Sequence, residues 1–599
     1  MKYYIKEDYY FDIDSRKQLR ITGPENHLFF GITFPKGLKV KILDYYMVGK
    51  QLEIKLELPT DKVVLTVPLV TDIRTLRSFT ENAEPTPSYN ELVVKGNEAV
   101  VPHSRQTLTK KGNHLLRFLN NYVDERGRKR YYGAYFLIPK KVKVNINENI
   151  LELEGKATLT FKIRTISNIF IRDRLLSNMF VPQQPLPSEY FSPYLIDLYN
   201  ESERNISFLI RTKKTSSFEY GTIFPRDWIE SADLGEGDLS ENTIDYMYKQ
   251  SMLNISEKGE GWHEDVVGEF RTKLPDKSKV VDRKMIDIEP HYILGMERVS
   301  KNFLTRRNNQ KKIRLVANYL LEIAKQKDLI TFKRMSDADG EYHQVGNWRD
   351  SYYAYPQQKA PLAPYDVNCV FYPESIKVIK KYNHFFKVKD TEELSELIHK
   401  WEANKQKFRL YHKNDLQGYS LALHGKKNVP LPMAHLDECY DLFYGTPNME
   451  EVVSFSQKII DPDYFFTPVG PILVATDEDL FTTANYHGKV IWPKQAAFAV
   501  AGLAQQFRRG LLEEWPQPVL DNIKNSIIVT ARACFKGWTD LGAVPELYYY
   551  DSLLDKARFY TDQPTYEGQM SMIQLWSSVG ARRIMREYAF IMTGELITG

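Results

Sequence analysis

The hydrophobic period of this chain changes once, and that change sets what it can fold into. Up to about residue 180, apolar and polar side chains alternate; beyond about 194, apolar residues recur at helical spacing. Leu52, Ile54, Leu56 and Leu58 fall on one face of a strand, and Ile146, Ile150, Leu151, Leu153 and Leu159 mark a similar run broken by turn residues. Between the halves, Pro182, Pro185, Pro187 and Pro193 forbid a regular helix. The pattern predicts a multidomain chain: a β-sandwich-like domain over 1–180, a proline-rich linker over 181–194 and a helical domain over 195–599.

The helical half reads as nine amphipathic or buried helices, at 195–211, 242–255, 285–303, 313–324, 367–382, 392–408, 494–511, 519–533 and 569–591. Loops rich in Trp, Tyr, Asp, Glu and His separate them, and long loops in a compact domain are usually functional. These polar-aromatic clusters begin near Arg226, Asp287, Asp366, Glu438, His487 and Glu567, at intervals of 49 to 80 residues. Each interval accommodates a hairpin of two helices with its connection. Six hairpins predict twelve helices closed into an all-α (α/α)6 toroid with one decorated face. The hairpins share no sequence similarity, so spacing alone carries this inference.

Lys and Arg number 81 against 77 Asp and Glu, a net charge of +4 over 599 residues. The basic clusters at 126–130 and 311–314 are short, which argues against nucleic acid as a partner. The longest apolar run, 496–504, is about half of what a membrane span needs, so no membrane partner is expected. The first eight residues lack the apolar stretch of a secretory signal. Cys369, Cys439 and Cys534 lie far apart without metal-ligand spacing, and a reducing, cytoplasmic setting fits them. Aromatic residues make up 13% of the chain, with 38 Tyr and 8 Trp. Aromatic faces stack on sugars and bases, and they also fill cores.

Arg226 and Asp227 lie between Phe224 and Trp228; such a pair can hold sugar hydroxyls or form a structural ion pair under Trp228. The acidic stretch 233–238 fails the spacing of a calcium loop. Trp262, beside His263 and Glu264, suits a substrate subsite or a loop-stabilising role, and no zinc spacing accompanies it. Asp287 and Glu289 flank a helix start marked by Pro290. Capping alone accounts for them there, and a helix mouth would also aim them into a cleft.

Trp348, Arg349 and Asp350, followed by Asp366, form the densest polar cluster. An acid packed against Trp348 has its neutral form favoured by desolvation, as a general acid requires. Asp350 could instead pair with Arg349, and Asp366 could cap the next helix. Tyr486, His487 and Trp492 offer a wall and a hydrogen-bonding rim for one sugar, with His487 alternatively a satisfied structural histidine. Glu546, behind Pro545, supplies a second carboxyl; two carboxyls are what glycoside hydrolysis needs.

Taken in order, these segments resemble the six-hairpin glycosidases with an (α/α)6 barrel. The second half is most similar to the amylo-alpha-1,6-glucosidase domain of glycogen debranching enzymes and related bacterial glucosidases. The resemblance runs through Arg226 and Asp227, Asp287 to Pro290, Trp348 to Asp350, Tyr486 to Gly488 with Trp492 and Pro493, and Pro545 with Glu546, over roughly 195–599. It implies an inverting, exo-acting α-glucosidase on α-linked gluco-oligosaccharides, with Asp350 the general acid and Glu546 the general base. Their carboxyls would then lie roughly 6.5–9.5 Å apart. An oligosaccharide is the implied partner, and no cofactor or metal is implied. The candidate substrate-binding residues are Arg226, Asp227, Trp228, Trp262, Asp287, Glu289, Trp348, Arg349, Asp366, Tyr486, His487 and Trp492. Glu289 stands where the debranchers have Thr, Phe224 and Pro225 replace Trp-Gly, and Tyr548 and Tyr549 replace Thr-Asn. Mannosyl and glucosyl-glycerate substrates therefore stay open. So do a phosphorylase, a lyase drawing on Tyr486 and His487, and a non-catalytic glycan-binding barrel.

Overall fold

The computed structural model describes residues 2–594 other than 14–16, 24–27, 67–68, 73–92, 96–97, 101–105, 113, 125, 148–149, 156–157, 169–177, 219–220, 266–280, 284, 333–345, 352–353, 356–360, 389–390, 413–414, 477 and 568–569. The chain divides into two units. One comprises Met1–Leu175, Ser207–Thr222 and Asp265–Val280; the other comprises Leu176–Ile206, Ile223–Glu264 and Val281–Gly599. The N-terminal region is rich in sheet and the C-terminal region is helical.

In the first unit three antiparallel sheets share one core. The largest has six strands, in the order Gln106–Lys111, Leu115–Val123, Lys129–Leu137, Leu159–Ser167, Gln51–Leu58, Lys41–Val48. Leu52, Ile54, Leu56 and Leu58 all point into the core, with Phe118, Phe136 and Ile163 from neighbouring strands. Glu53, on the other face of the same strand, is also buried, because Lys162 and Arg164 pair with it at 2.9 Å each. Leu151 and Leu153 are buried while Ile150 is 43% exposed. Side chains alternate along a strand, so consecutive Ile150 and Leu151 cannot share a face.

Among the described residues, twelve α-helices have six residues or more. They are α1 Pro193–Thr212, α2 Pro225–Leu234, α3 Glu241–Ser251, α4 Ile288–Leu294, α5 Arg307–Gln326, α6 Tyr372–Lys381, α7 Thr391–Glu402, α8 Cys439–Tyr444, α9 Met449–Lys458, α10 Pro493–Leu512, α11 Gln517–Leu541 and α12 Leu575–Thr593. A π-helical turn, Asp366–Phe371, runs directly into α6. Six of them follow one another as neighbours. α2 packs on α4, α4 on α6, the π turn before α6 on α8, α8 on α10, α10 on α12 and α12 on α2. A second set lies against these: α3 on α2, α5 on α4, α7 on α6, and α11 on both α10 and α12. Among the described residues, no helix is long and apolar enough to cross a membrane.

The segment at 285–303, expected as one helix, is broken. α4 ends at Leu294, a short 3-10 turn covers Gly295–Glu297, and Ser300 caps a separate turn, Lys301–Thr305, by accepting from the Phe303 N–H. At Gly295 the chain passes so close to the Tyr248 hydroxyl that a Cβ would overlap it. The segment at 569–591 becomes helical only at Leu575, because Gln574 is extended.

The helices of the neighbour cycle approach one another through glycine. A Cβ on Gly502 of α10 would lie 2.7 Å from Leu442 Cβ and 3.1 Å from the Leu442 and Phe443 backbone of α8. Backbone cannot rotate away as a side chain can. Alanine at a helix interior normally gains about 1 kcal/mol over glycine. Gly502→Ala is nevertheless expected to lower unfolding free energy by about 1–2 kcal/mol, as measured by urea denaturation; an unchanged or raised midpoint would show that α8 and α10 can separate freely.

Candidate active site

Part of the site comes from the N-terminal ends of the cycle helices, and Asp350, Tyr486, His487 and Glu546 come from the connections between elements. Pro225 opens α2 behind an extended Phe224, so Arg226 and Asp227 occupy its first turn. Arg226 is buried and gathers three carboxylates: Asp287 at 3.2 Å, Asp350 at 3.4 Å and Asp227 at 3.8 Å. Burial works against its charge, and these carboxylates with Glu230 outweigh that, so the guanidinium stays ionised. Asp287 stands at the cap position of α4 without making a side-chain cap bond; its carboxylate goes to Arg226 instead. Asp227 is pushed up to about 7 by burial, against the pull of Arg226 and Lys494, and takes a hydrogen bond from Gln574 Nε2 at 3.1 Å.

Asp350 pairs with Arg226, not with Arg349. Its side chain is 28% exposed, against 6% for Asp227 and none for Asp287, so of the carboxylates on Arg226 it is the one open to a substrate. His263 Nε2 lies 3.7 Å from the same Asp350 oxygen that Arg226 contacts. Arg349 turns away into the interior. It makes two bonds to Asp437, at 2.6 and 3.1 Å, and donates to the carbonyls of His487 and Leu473.

Two consecutive residues tie the two candidate catalytic segments together. The Tyr486 hydroxyl donates to Glu546 Oε1 at 2.7 Å, and the Ser571 N–H donates to Glu546 Oε2 at 2.8 Å. His487 Nδ1 lies 2.9 Å from the Ser351 hydroxyl and accepts from the Ser351 N–H at 3.4 Å, while the ring also bonds the Trp348 backbone. It therefore grips the loop bearing Asp350 on both sides. Burial, then Arg349, Lys494 and Arg226, push its imidazole well below the usual histidine range, so the ring is neutral.

An aromatic cluster supports both contacts. Trp492 stacks on His487 with centroids 5.3 Å apart and planes 9° apart, and it meets Tyr486, Trp348 and Trp576 edge-on. The Lys494 ammonium lies 4.1 Å from the Trp348 ring centre and 4.2 Å from that of Trp576, and bonds Glu230 at 2.9 Å.

The remaining expected residues sit in adjoining networks. Trp228 is wholly buried beside Tyr246. Trp262 is also buried, with its indole N–H on the Ser251 carbonyl at 2.6 Å. Glu289 accepts from the Gly261 N–H at 2.7 Å. Asp366 receives the Asn347 amide on both oxygens at 2.9 Å, and burial together with Asp437 and Asp287 pushes it up. Sequence reasoning did not single out Lys494, Glu230, Gln574 or Asp437, and it placed His263 only in the cluster around Trp262. Glu230 lies one turn beyond Arg226 on α2, and Lys494 and Gln574 sit at helix starts like the residues that were identified. Among the described residues, no group of three or more His, Cys, Asp or Glu is arranged to hold a metal ion. A surface cavity of about 380 Å³, lined in part by Arg298, Glu374, Lys377 and Tyr444, shares no residue with this cluster.

No family model matches the chain, and no curated protein matches it in sequence. Among solved structures it is similar to the GH63 mannosylglycerate hydrolase from Thermus thermophilus, in complex with Tris, at 11% identity and a TM-score of 0.44, covering 65% of this chain and 99% of that one. It is also similar to the GH78 family rhamnosidase of Bacillus sp. GL1, at 10% identity and a TM-score of 0.43, covering 85% of this chain and 49% of that one.

Burial raises Glu289 from 4.5 to about 7. The folded state thus holds its proton more tightly than the unfolded chain does. The associated stability is complete below about pH 4.5 and is lost as pH rises through 7. Glu289→Gln keeps an acceptor for the Gly261 N–H and does not titrate. Its advantage over wild type in urea denaturation should be about 2 kcal/mol larger at pH 8 than at pH 5; a difference independent of pH would contradict the assignment.

Proposed function

We propose that the protein is an inverting glycoside hydrolase on an (α/α)6 toroid, exo-acting on α-linked gluco-oligosaccharides, with Asp350 as general acid and Glu546 as general base. The neighbour cycle α2, α4, α6, α8, α10 and α12 supplies the inner ring in this reading, and its N-terminal ends form the decorated face. The observation that carries the proposal is the Tyr486–His487 pair. One side chain holds Glu546 and the next holds the Asp350 loop, so two carboxyl-bearing segments far apart in sequence are fixed by one dipeptide.

Arg226 donates to Asp350 Oδ2, which leaves Oδ1 to carry the proton. In the forward reaction Asp350 gives that proton to the glycosidic oxygen as the bond to the anomeric carbon breaks. Water attacks the anomeric carbon from the opposite face and passes its proton to Glu546, releasing the sugar with inverted configuration. A carboxylate oxygen has two lone pairs, so the bonds from the Tyr486 hydroxyl and the Ser571 N–H are compatible with this step. Elimination by a Tyr/His pair is the less favoured chemistry, because Tyr486 and His487 are each committed to another side chain or backbone group.

The test is sugar release from a panel of α- and β-linked gluco- and manno-oligosaccharides and hexosyl-glycerates, followed by NMR of the product anomer. Wild type should release sugar of inverted configuration, and Asp350→Asn and Glu546→Gln should each lower kcat by about 10²-fold or more. Retained configuration would remove the inverting mechanism, and full activity in either variant would remove that residue from its role.

A further inference from the structure

We propose that His263 is a positioning residue for Asp350, fixing its Oδ2 jointly with Arg226 so that Oδ1 is the oxygen that faces the glycosidic bond. The inference rests on the reading of Asp350 as the general acid. Arg226 alone cannot hold that carboxyl in one direction, because its guanidinium is shared among Asp287, Asp227 and Asp350, and the contact to Asp350 is longer than that to Asp287. His263 approaches the same oxygen at 3.7 Å. That separation is an electrostatic contact, longer than a direct hydrogen bond. Active-site contacts of this length commonly tighten in the substrate complex.

The imidazole is itself held in place. Its ring meets Phe224 edge-on at 5.1 Å, and Phe224 is the residue that precedes α2, so His263 and Arg226 are referenced to the same helix start. Its two predecessors in the chain are anchored. The Gly261 N–H is on Glu289, and the Trp262 indole is on the Ser251 carbonyl. The anchored tryptophan turns inward and presents the next side chain, His263, toward Asp350. The charged groups around it include Asp350, Arg226 and Asp227, with Asp287 behind Arg226.

Two measurements test the pairing and the role separately. In histidine-labelled protein at fixed pH, the His263 imidazole cross-peak, assigned by its loss in His263→Gln, should move in Asp350→Asn and stay in place in Glu546→Gln. A cross-peak indifferent to Asp350→Asn overturns the pairing without reference to any activity. On the best substrate of the panel, His263→Gln should lower kcat by about 10-fold or more with KM within about 2-fold. In the Asp350→Asn background the same change should cost less than about 2-fold. A loss confined to KM, or an equal loss in both backgrounds, overturns the positioning role. A coupled cross-peak in a protein that hydrolyses nothing on the panel would support the pairing and reject the hydrolase reading.

Discussion

The Lys494–Glu230 pair is the constraint on which the arrangement of the second unit depends. Both side chains are fully buried. The carboxylate, from α2, also accepts from the Tyr440 hydroxyl of α8 and lies 3.6 Å from His291 of α4. Burial alone would raise Glu230; Lys494, His291 and Arg226 outweigh that and hold it below the usual carboxylate range. Burial in turn pushes His291 below its usual range. Four of the six cycle helices therefore meet on one ion pair. Such a pair adds little net stability, because desolvating both charges offsets their attraction. Breaking one side, however, strands a buried charge, so the register of these helices has few alternatives. The same ammonium is enclosed by Trp348 and Trp576, which links the helix interior directly to the loop carrying Asp350.

Above that pair, two carboxyls at helix starts show what a directly bonded guanidinium does. Asp437 would be raised by burial, but Arg349 bonds both its oxygens and holds it low. Asp366, nearby and equally buried, faces the neutral amide of Asn347 and is pushed up. Helix N-termini favour anions at these positions, yet desolvation raises Asp366, which faces a neutral amide, and raises Asp227 even against the pull of Arg226 and Lys494. The site thus contains ionised acceptors and protonated acids within one short stretch of helix ends.

Much of this was legible in the sequence where periodicity had a polar face to work against. Leu52 through Leu58 alternated because one side of that strand meets solvent or charged partners, and α5 and α11 showed helical spacing for the same reason. α2 gave no such signal. All ten of its residues are buried, and its polar side chains turn toward one another inside the unit, so no polar–apolar contrast marks the helix. α8 has six residues, too few for a period to show. α9 was legible from its Asn448–Glu451 capping box and was not read. In the site, the helix-start loops were found because Trp, Pro and acidic residues cluster there. Which member of a cluster turns outward was not readable. Trp262 and His263 are consecutive; the Trp262 indole bonds the Ser251 carbonyl and it is His263 that faces Asp350.

Some of the tyrosines do more than fill the core. Across both units, tyrosine hydroxyls donate to buried or half-buried carboxylates: Tyr10 to Asp12, Tyr46 to Glu53, Tyr440 to Glu230, Tyr248 and Tyr444 to Asp233, Tyr419 to Glu451 and Tyr486 to Glu546. A buried carboxylate needs donors, and a lysine or arginine that answers it brings a second charge to be desolvated. A phenol answers it with a neutral donor on a ring that packs as a hydrophobe. Asp233 illustrates the trade. Two phenols and the more distant Arg298, at 3.6 Å, leave it raised to about 6 by burial. Glu230, with a direct ammonium, is held low. Glu546 receives a phenol donor together with a backbone N–H.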